Sequence, residues 1–316
     1  MPKRALTFPG QGSQAVGMGA DLAAAFPAAR AVFDEVDAAL GEKLSALMAE
    51  GPHEKLRLTE NAQPALMAVS MAVVRVLEAE GLAVRDLAGF VAGHSLGEYS
   101  ALCAAGALDI SEAARLLRTR GRAMQQAVPV GEGAMAALLG LDLDAAAEVA
   151  AMAGQGEVCE IANDNAPGQV VISGTAAAVE RAIELAKAKG ARRALTLPVS
   201  APFHCSLMAP AAEAMEDALA AVNIRPPAVP LVANVTAAPL GDPADIRRRL
   251  VEQVTARVRW RESVLWMTAQ GGVAGLVELG EGKVLTGLAR RIAPDTPAMA
   301  VGTPDEVSAF VAAAGA

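Results

Sequence analysis

Short apolar, β-prone runs alternate with alanine-rich segments along most of this chain, and that alternation leaves few architectures open. RALTF precedes a helical stretch around 18–40, LAGFVAG precedes 95–106, VPLVANV precedes 243–256 and GLVELG precedes 282–292. Strands that alternate with helices predict an α/β fold with a mainly parallel sheet. The texture changes near residue 130. From Gly133 to Val199 the order is strand GAMAALLG, helix 142–153, strand VCEIAND, strand GQVVISG, helix 175–189 and strand RRALTLPV. That is the βαββαβ pattern of a ferredoxin-like unit. The predicted organisation is a discontinuous α/β core, residues 1–130 and 200–316, with a ferredoxin-like subdomain inserted at 131–199.

With 316 residues and 53% hydrophobic content, the chain can bury a large core, and it reads as a soluble globular protein. Its three cysteines, Cys103, Cys159 and Cys205, are too few and too scattered for a disulfide framework and contain no CxxC pair. A reducing cytoplasm is therefore expected. The start MPKRALTFPGQGSQ reads as a first strand rather than a signal peptide, and no apolar stretch looks continuous enough to span a bilayer. A net charge of -8 argues against nucleic acid as a partner, and an anionic partner would need a local basic patch.

The segment AGFVAGHSLGEYSALCAAGAL holds the sharpest motif, a GxSxG made by Gly93, Ser95 and Gly97 between an apolar strand and a helical stretch. In that context the serine projects from a tight turn above the sheet, and the glycines let helix and strands approach. The amide of Leu96, directly after the serine, is the natural oxyanion donor. An ordinary glycine-rich turn with a capping serine is the competing reading. His94 shares the turn, but adjacent side chains diverge, so it is expected to be a packed wall residue or to line a substrate channel rather than act as base.

Three histidines exist, His53, His94 and His204. His53 sits in the polar turn EGPHEKLRL, where solvation is expected. His204, in LPVSAPFHCSLMAPAAEAM, lies in a proline-containing loop before a helix, where side chains can face a cleft. The positive end of that helix disfavours protonation and keeps the imidazole basic. Cys205 beside it is expected to be a buried, inert thiol.

In SEAARLLRTRGRAMQQA, helical spacing groups Arg115, Arg118 and Arg122 on one face, read as a solvated stripe. Arg120 falls on the opposite face, among Ala113, Leu116, Leu117, Ala123, Met124 and Ala127, where a guanidinium needs an anion. A substrate carboxylate held bidentately satisfies that need, as does an internal Asp or Glu or snorkelling past Gly121. Gly10, Gly12 and Ala15 after RALTF suggest a dinucleotide loop, but Asp34 and Glu35 lie in a helical run rather than at the end of a second strand. The loop is better used as a source of the second oxyanion donor, the Gln11 amide.

Together, TFPGQGSQ, AGHSLGEYSAL, TRGRAMQ, IANDNAPGQVVISG, VSAPFHCSLM, VANVTA, VEQVTARVRW and ELGEGKVLTGLARRI resemble the malonyl-CoA:acyl carrier protein transacylase family, in that family's order and over almost the whole chain. The resemblance implies a hydrolase-like α/β core with a ferredoxin-like insert and a Ser-His dyad at Ser95 and His204. It also implies backbone donors at Gln11 and Leu96, Arg120 against the malonyl carboxylate, and the Gln253 main-chain carbonyl as the group that orients the histidine. Phe203 is similar to the aromatic residue of malonyl-selective domains, a feature that varies within the family.

The implied activity is ping-pong transfer of malonyl from malonyl-CoA to acyl carrier protein for fatty acid synthesis, with no metal or redox cofactor. A serine thioesterase or hydrolase, a discrete polyketide acyltransferase and a carrier-binding module with a dead site are the rivals. Basic clusters at Arg192, Arg193, Arg247 to Arg249, Arg257, Arg259 and Arg261 are expected to be solvated helix faces rather than a docking surface.

Overall fold

The structure, a computed structural model, describes residues 3–314; residues 1, 2, 315 and 316 of the predicted core segments lie outside the described residues. Its larger sheet contains β1 (Arg4–Phe8), β2 (Ala88–Gly93), β7 (Leu231–Val232), β8 (Pro239–Leu240), β9 (Leu276–Leu279) and β10 (Ala298–Val301). They lie in the order β10-β9-β1-β2-β7-β8, every pair parallel except β7 with β8. The smaller sheet contains β3 (Gly133–Leu139), β4 (Cys159–Ala166), β5 (Gln169–Thr175) and β6 (Arg193–Thr196), wholly antiparallel in the order β4-β5-β3-β6. Helices Leu143–Gly154 and Ala176–Ala188 complete the βαββαβ unit and pack Val149, Val179 and Ala182 with Leu138 and Ile172 of its sheet.

Parallel pairing of β1 with β2 positions the site. Phe8 is registered with Gly93, and the His94 amide extends the ladder by donating to the Phe8 carbonyl at 3.0 Å. The loop after β1 and the turn after β2 therefore leave the sheet side by side at its carboxyl edge, where α/β folds place their ligands.

Several elements differ from their predicted extents. The stretch at 18–40 is two helices, Ala20–Ala25 and Pro27–Leu40, because Pro27 holds Phe26 extended and then opens the second helix. VPLVANV contributes only two residues to the sheet, between β2 and the edge strand β8. The helix Thr59–Ala79 is 21 residues long with a mean hydropathy of 1.3, which meets the length and composition of a membrane span, contrary to expectation. Here it is a core helix, 83% buried over that window and packed on Pro27–Leu40 and Ile110–Ala127. Arg118 is not solvated: it is buried and donates to Asn61 and Glu42. Helical spacing placed it with Arg115 and Arg122, but partners on other elements cover that part of the face.

Candidate active site

Ser95 sits at the end of β2 with φ 53°, in the left-handed region, and the helix Gly97–Ala104 starts two residues later. Such a conformation is costly for a non-glycine residue and has to be enforced by its surroundings. Gly93 and Gly97 permit it: a Cβ on Gly93 would stand 1.8 Å from the Gly97 carbonyl carbon, and one on Gly97 2.3 Å from the Phe8 oxygen. Asn234, just past β7, stitches the turn, accepting from the Ser95 amide at 2.8 Å and donating to the Gly93 carbonyl at 2.7 Å.

His204 is also left-handed, at φ 58°, and 4% exposed. Its Nδ1 lies 2.9 Å from the Gln253 main-chain oxygen and its Nε2 2.7 Å from Ser95 Oγ. A carbonyl oxygen only accepts, so Nδ1 carries the proton and Nε2 presents a lone pair to the serine hydroxyl. Burial, reinforced by the nearby Arg120 guanidinium, holds the imidazole down to about 3. It is therefore neutral near pH 7, and burial rather than a helix terminus is the principal cause.

Arg120 is 1% exposed and its partners are neutral: Nη1 donates to Gln63 Oε1 at 2.9 Å, and Nη2 donates to Gln253 Oε1 at 2.9 Å and to Ser95 Oγ at 3.1 Å. None of these is the internal carboxylate that helical spacing left open. The guanidinium thus carries its charge to Ser95 Oγ with no directly bonded anion.

Ser95, His204 and Arg120 line one cleft of about 650 Å³, which also takes in Gln11, Leu96, Phe203 and His94. Among the described residues, the Gln11 and Leu96 amides donate to no protein acceptor. Phe203 is buried in the wall beside His204. His94 points its Nε2 at Asn165 Oδ1, 2.8 Å away, and tilts against Trp260; burial lowers its pKa. It is a wall residue whose ring nitrogen bonds Asn165 rather than Ser95. His53, expected in solvent, is exposed and lines the same cleft. Cys205 is fully buried, its thiol donating to the Pro202 carbonyl at 3.1 Å, and burial raises its pKa.

Asn234, Gln63, Glu98 and the Gln253 side chain were absent from the residue-based reading. Amides carry no titration signal, and the segments AGHSLGEYSAL, VANVTA and VEQVTARVRW, quoted for the resemblance, contain Glu98, Asn234 and Gln253 without marking a role for them.

Residues 6–279 match the acyl transferase domain family. A Bacillus subtilis malonyl CoA-acyl carrier protein transacylase is 48% identical over 97% of this chain and 96% of its own length. The crystal structure of an acyl-carrier-protein-S-malonyltransferase from Bartonella henselae is similar at 59% identity, with a TM-score of 0.97 over 99% of this chain and 100% of that one. A malonyl-transacylase solved in complex with its type II PKS acyl-carrier protein is 44% identical, with a TM-score of 0.95 over 98% of this chain and 99% of that one.

Proposed function

Because this chain belongs to the malonyl-CoA:acyl carrier protein transacylase family, it is an acyltransferase acting between malonyl-CoA and acyl carrier protein in fatty acid synthesis, and we propose that malonyl crosses as an ester on Ser95. Ser95 gives its proton to His204 Nε2 as Oγ attacks the thioester carbonyl. The resulting oxyanion lies against the Gln11 and Leu96 amides. Collapse expels the CoA thiolate, which takes the proton from the imidazolium. In the second half the phosphopantetheine thiol gives its proton to His204, attacks the ester, and Ser95 leaves with that proton. Written this way, the cycle balances without a metal or redox cofactor.

Arg120 holds the distal carboxylate of the malonyl group, and Phe203 narrows the wall against branched acyl groups. The observation that carries the proposal is the position of Ser95 Oγ, 2.7 Å from an unprotonated imidazole nitrogen and 3.1 Å from a buried guanidinium without a carboxylate partner. The scattered, unbridged cysteines support placing this chemistry in the cytoplasm.

Intact-mass measurement after addition of malonyl-CoA is the direct test. We expect one malonyl adduct, absent from Ser95→Ala and discharged onto added carrier protein. Free malonate without malonyl-carrier would instead identify a hydrolase. An adduct that survives Ser95→Ala would rule out this nucleophile.

A further inference from the structure

A Ser-His pair usually carries an acid on the far nitrogen of the histidine; here a main-chain carbonyl occupies that place. The side chain of the same residue, Gln253, bonds a buried carboxyl group that the cycle leaves unused. Glu98, in the first turn of the helix Gly97–Ala104, is 1% exposed. One of its oxygens accepts from the Asn234 amide at 2.6 Å and the other from Gln253 Nε2. These two partners hold Ser95, His204 and Arg120. Asn234 holds the Ser95 amide at 2.8 Å. Gln253 accepts from His204 Nδ1 at 2.9 Å through its main chain and from Arg120 at 2.9 Å through its side-chain oxygen, and its Nε2 also donates to the Ser95 carbonyl at 3.0 Å.

The donor pattern requires an acceptor at both Glu98 oxygens. Gln253 cannot turn its amide over without setting its NH₂ against Arg120, so Nε2 must face Glu98. A main-chain N–H faces the other oxygen. An amide in place of Glu98 would oppose N–H to N–H at one of the two contacts, leaving a buried donor unpaired. The ionised form of Glu98 also supplies negative charge to a buried guanidinium whose direct partners are neutral.

We propose that Glu98 is a positioning carboxylate which, through Asn234 and Gln253, fixes Ser95, His204 and Arg120 in one arrangement and so supplies at one remove the acid missing from the histidine. This role rests on the transacylase cycle above. Burial pushes the Glu98 carboxyl up to about 8, against the opposing pull of the Asn234 amide, the Gln253 amide and the Arg120 guanidinium. The ionised form that both N–H donors favour therefore gains on the neutral acid as pH rises through about 8, and the two contacts hold the carboxyl in place on either side of it.

The test is single-turnover acylation of Ser95 by malonyl-CoA and by acetyl-CoA, normalised to folded protein, in wild type, Glu98→Gln and Glu278→Gln. Glu278 is the control: it is equally buried, but it accepts from Leu285 and Thr286 at the start of the helix Val284–Ile292 and touches none of the site. For Glu98→Gln we expect the malonyl rate to fall about 100-fold, the loss that follows small misplacement of reacting groups, and the malonyl/acetyl preference to fall with it. Glu278→Gln should lower Tm while keeping wild-type rate and preference per folded molecule. If Glu98→Gln does not fold, Glu98→Asp, which keeps the charge but is one methylene too short to reach both donors, should show the same two losses. Rate and preference within about twofold of wild type in whichever Glu98 variant folds overturn the positioning role, since twofold is only about 0.4 kcal/mol of barrier. A wild-type protein that forms no adduct overturns the covalent cycle instead.

Discussion

His204 and Arg120 both lie against Ser95 Oγ, so each bears on what the other can do. The histidine has to stay neutral to serve as base, and a guanidinium beside it helps by opposing a second positive charge, on top of the larger effect of burial. Since the imidazole is held at about 3, its lone pair is retained well below pH 6, where an ordinary histidine is mostly protonated. Removal of Arg120 raises the pKa of His204, so the acid limb of acetyl transfer in Arg120→Ala should begin at higher pH than in wild type; coincident limbs would show that the two groups are not coupled. The same variant should lose preference for malonyl by about 100-fold, the worth of a charge-assisted bidentate contact of about 3 kcal/mol, while acetyl is tolerated better. An unchanged malonyl/acetyl ratio would rule out the carboxylate clamp. Arg120 was legible from sequence because its own helix surrounds it with apolar neighbours. Arg118 was misread from the same spacing because Asn61 and Glu42 come from elsewhere in the fold. Asn234 and Glu98 meet only through tertiary packing, so no local pattern announces them.

At the scale of the element, the Ser95 turn is rigid because its backbone is crowded on two sides. Adding a methyl group at Gly93 or Gly97 drives it into main chain rather than into a side chain that can swing aside. Gly93→Ala and Gly97→Ala should each cost about 3 kcal/mol or more, at the upper end of core overpacking, and abolish adduct formation in whatever folds. Gly287 makes the contrast. It lies inside the helix Val284–Ile292 with open space where a Cβ would go, so Gly287→Ala should stabilise by about 1 kcal/mol through helix propensity alone. Urea midpoints for the three variants check both signs, and a destabilised Gly287→Ala would refute the helix-propensity gain. Elements with strong periodicity or a glycine-bracketed turn could be placed in advance, β1, β2 and the βαββαβ segment among them. Their ends were less legible. Pro27 splits one predicted helix, and VPLVANV, read as a strand, pairs over two residues because the chain turns away to bring Asn234 under the elbow.

Across the whole molecule, the antiparallel sheet forms part of the site wall through its β4 strand. Glu160 accepts from the Ser206 amide at 3.0 Å and its hydroxyl at 2.6 Å, two residues after His204. Asn165 holds His94, and the Asp164 amide donates to the Val258 carbonyl at 3.0 Å, five residues after Gln253. The Asp164 carboxylate, 1% exposed, completes the seam by accepting from Arg261 Nε at 3.0 Å through both oxygens. Breaking a fully buried pair costs roughly 3–5 kcal/mol, chiefly because a charge is stranded. Arg261 keeps 30% of its side chain exposed and can turn to water, so Asp164→Ala should cost less, about 2 kcal/mol. Lys187→Ala removes an exposed pair with Glu184 on the same βαββαβ unit and should stay within about 0.5 kcal/mol of wild type. Because β4 also braces the segments that carry His204 and Gln253, Asp164→Ala should slow Ser95 acylation several-fold per folded molecule, whereas Lys187→Ala should not. Equal acylation rates in the two variants would mean that the smaller sheet walls the cleft without bracing its chemistry.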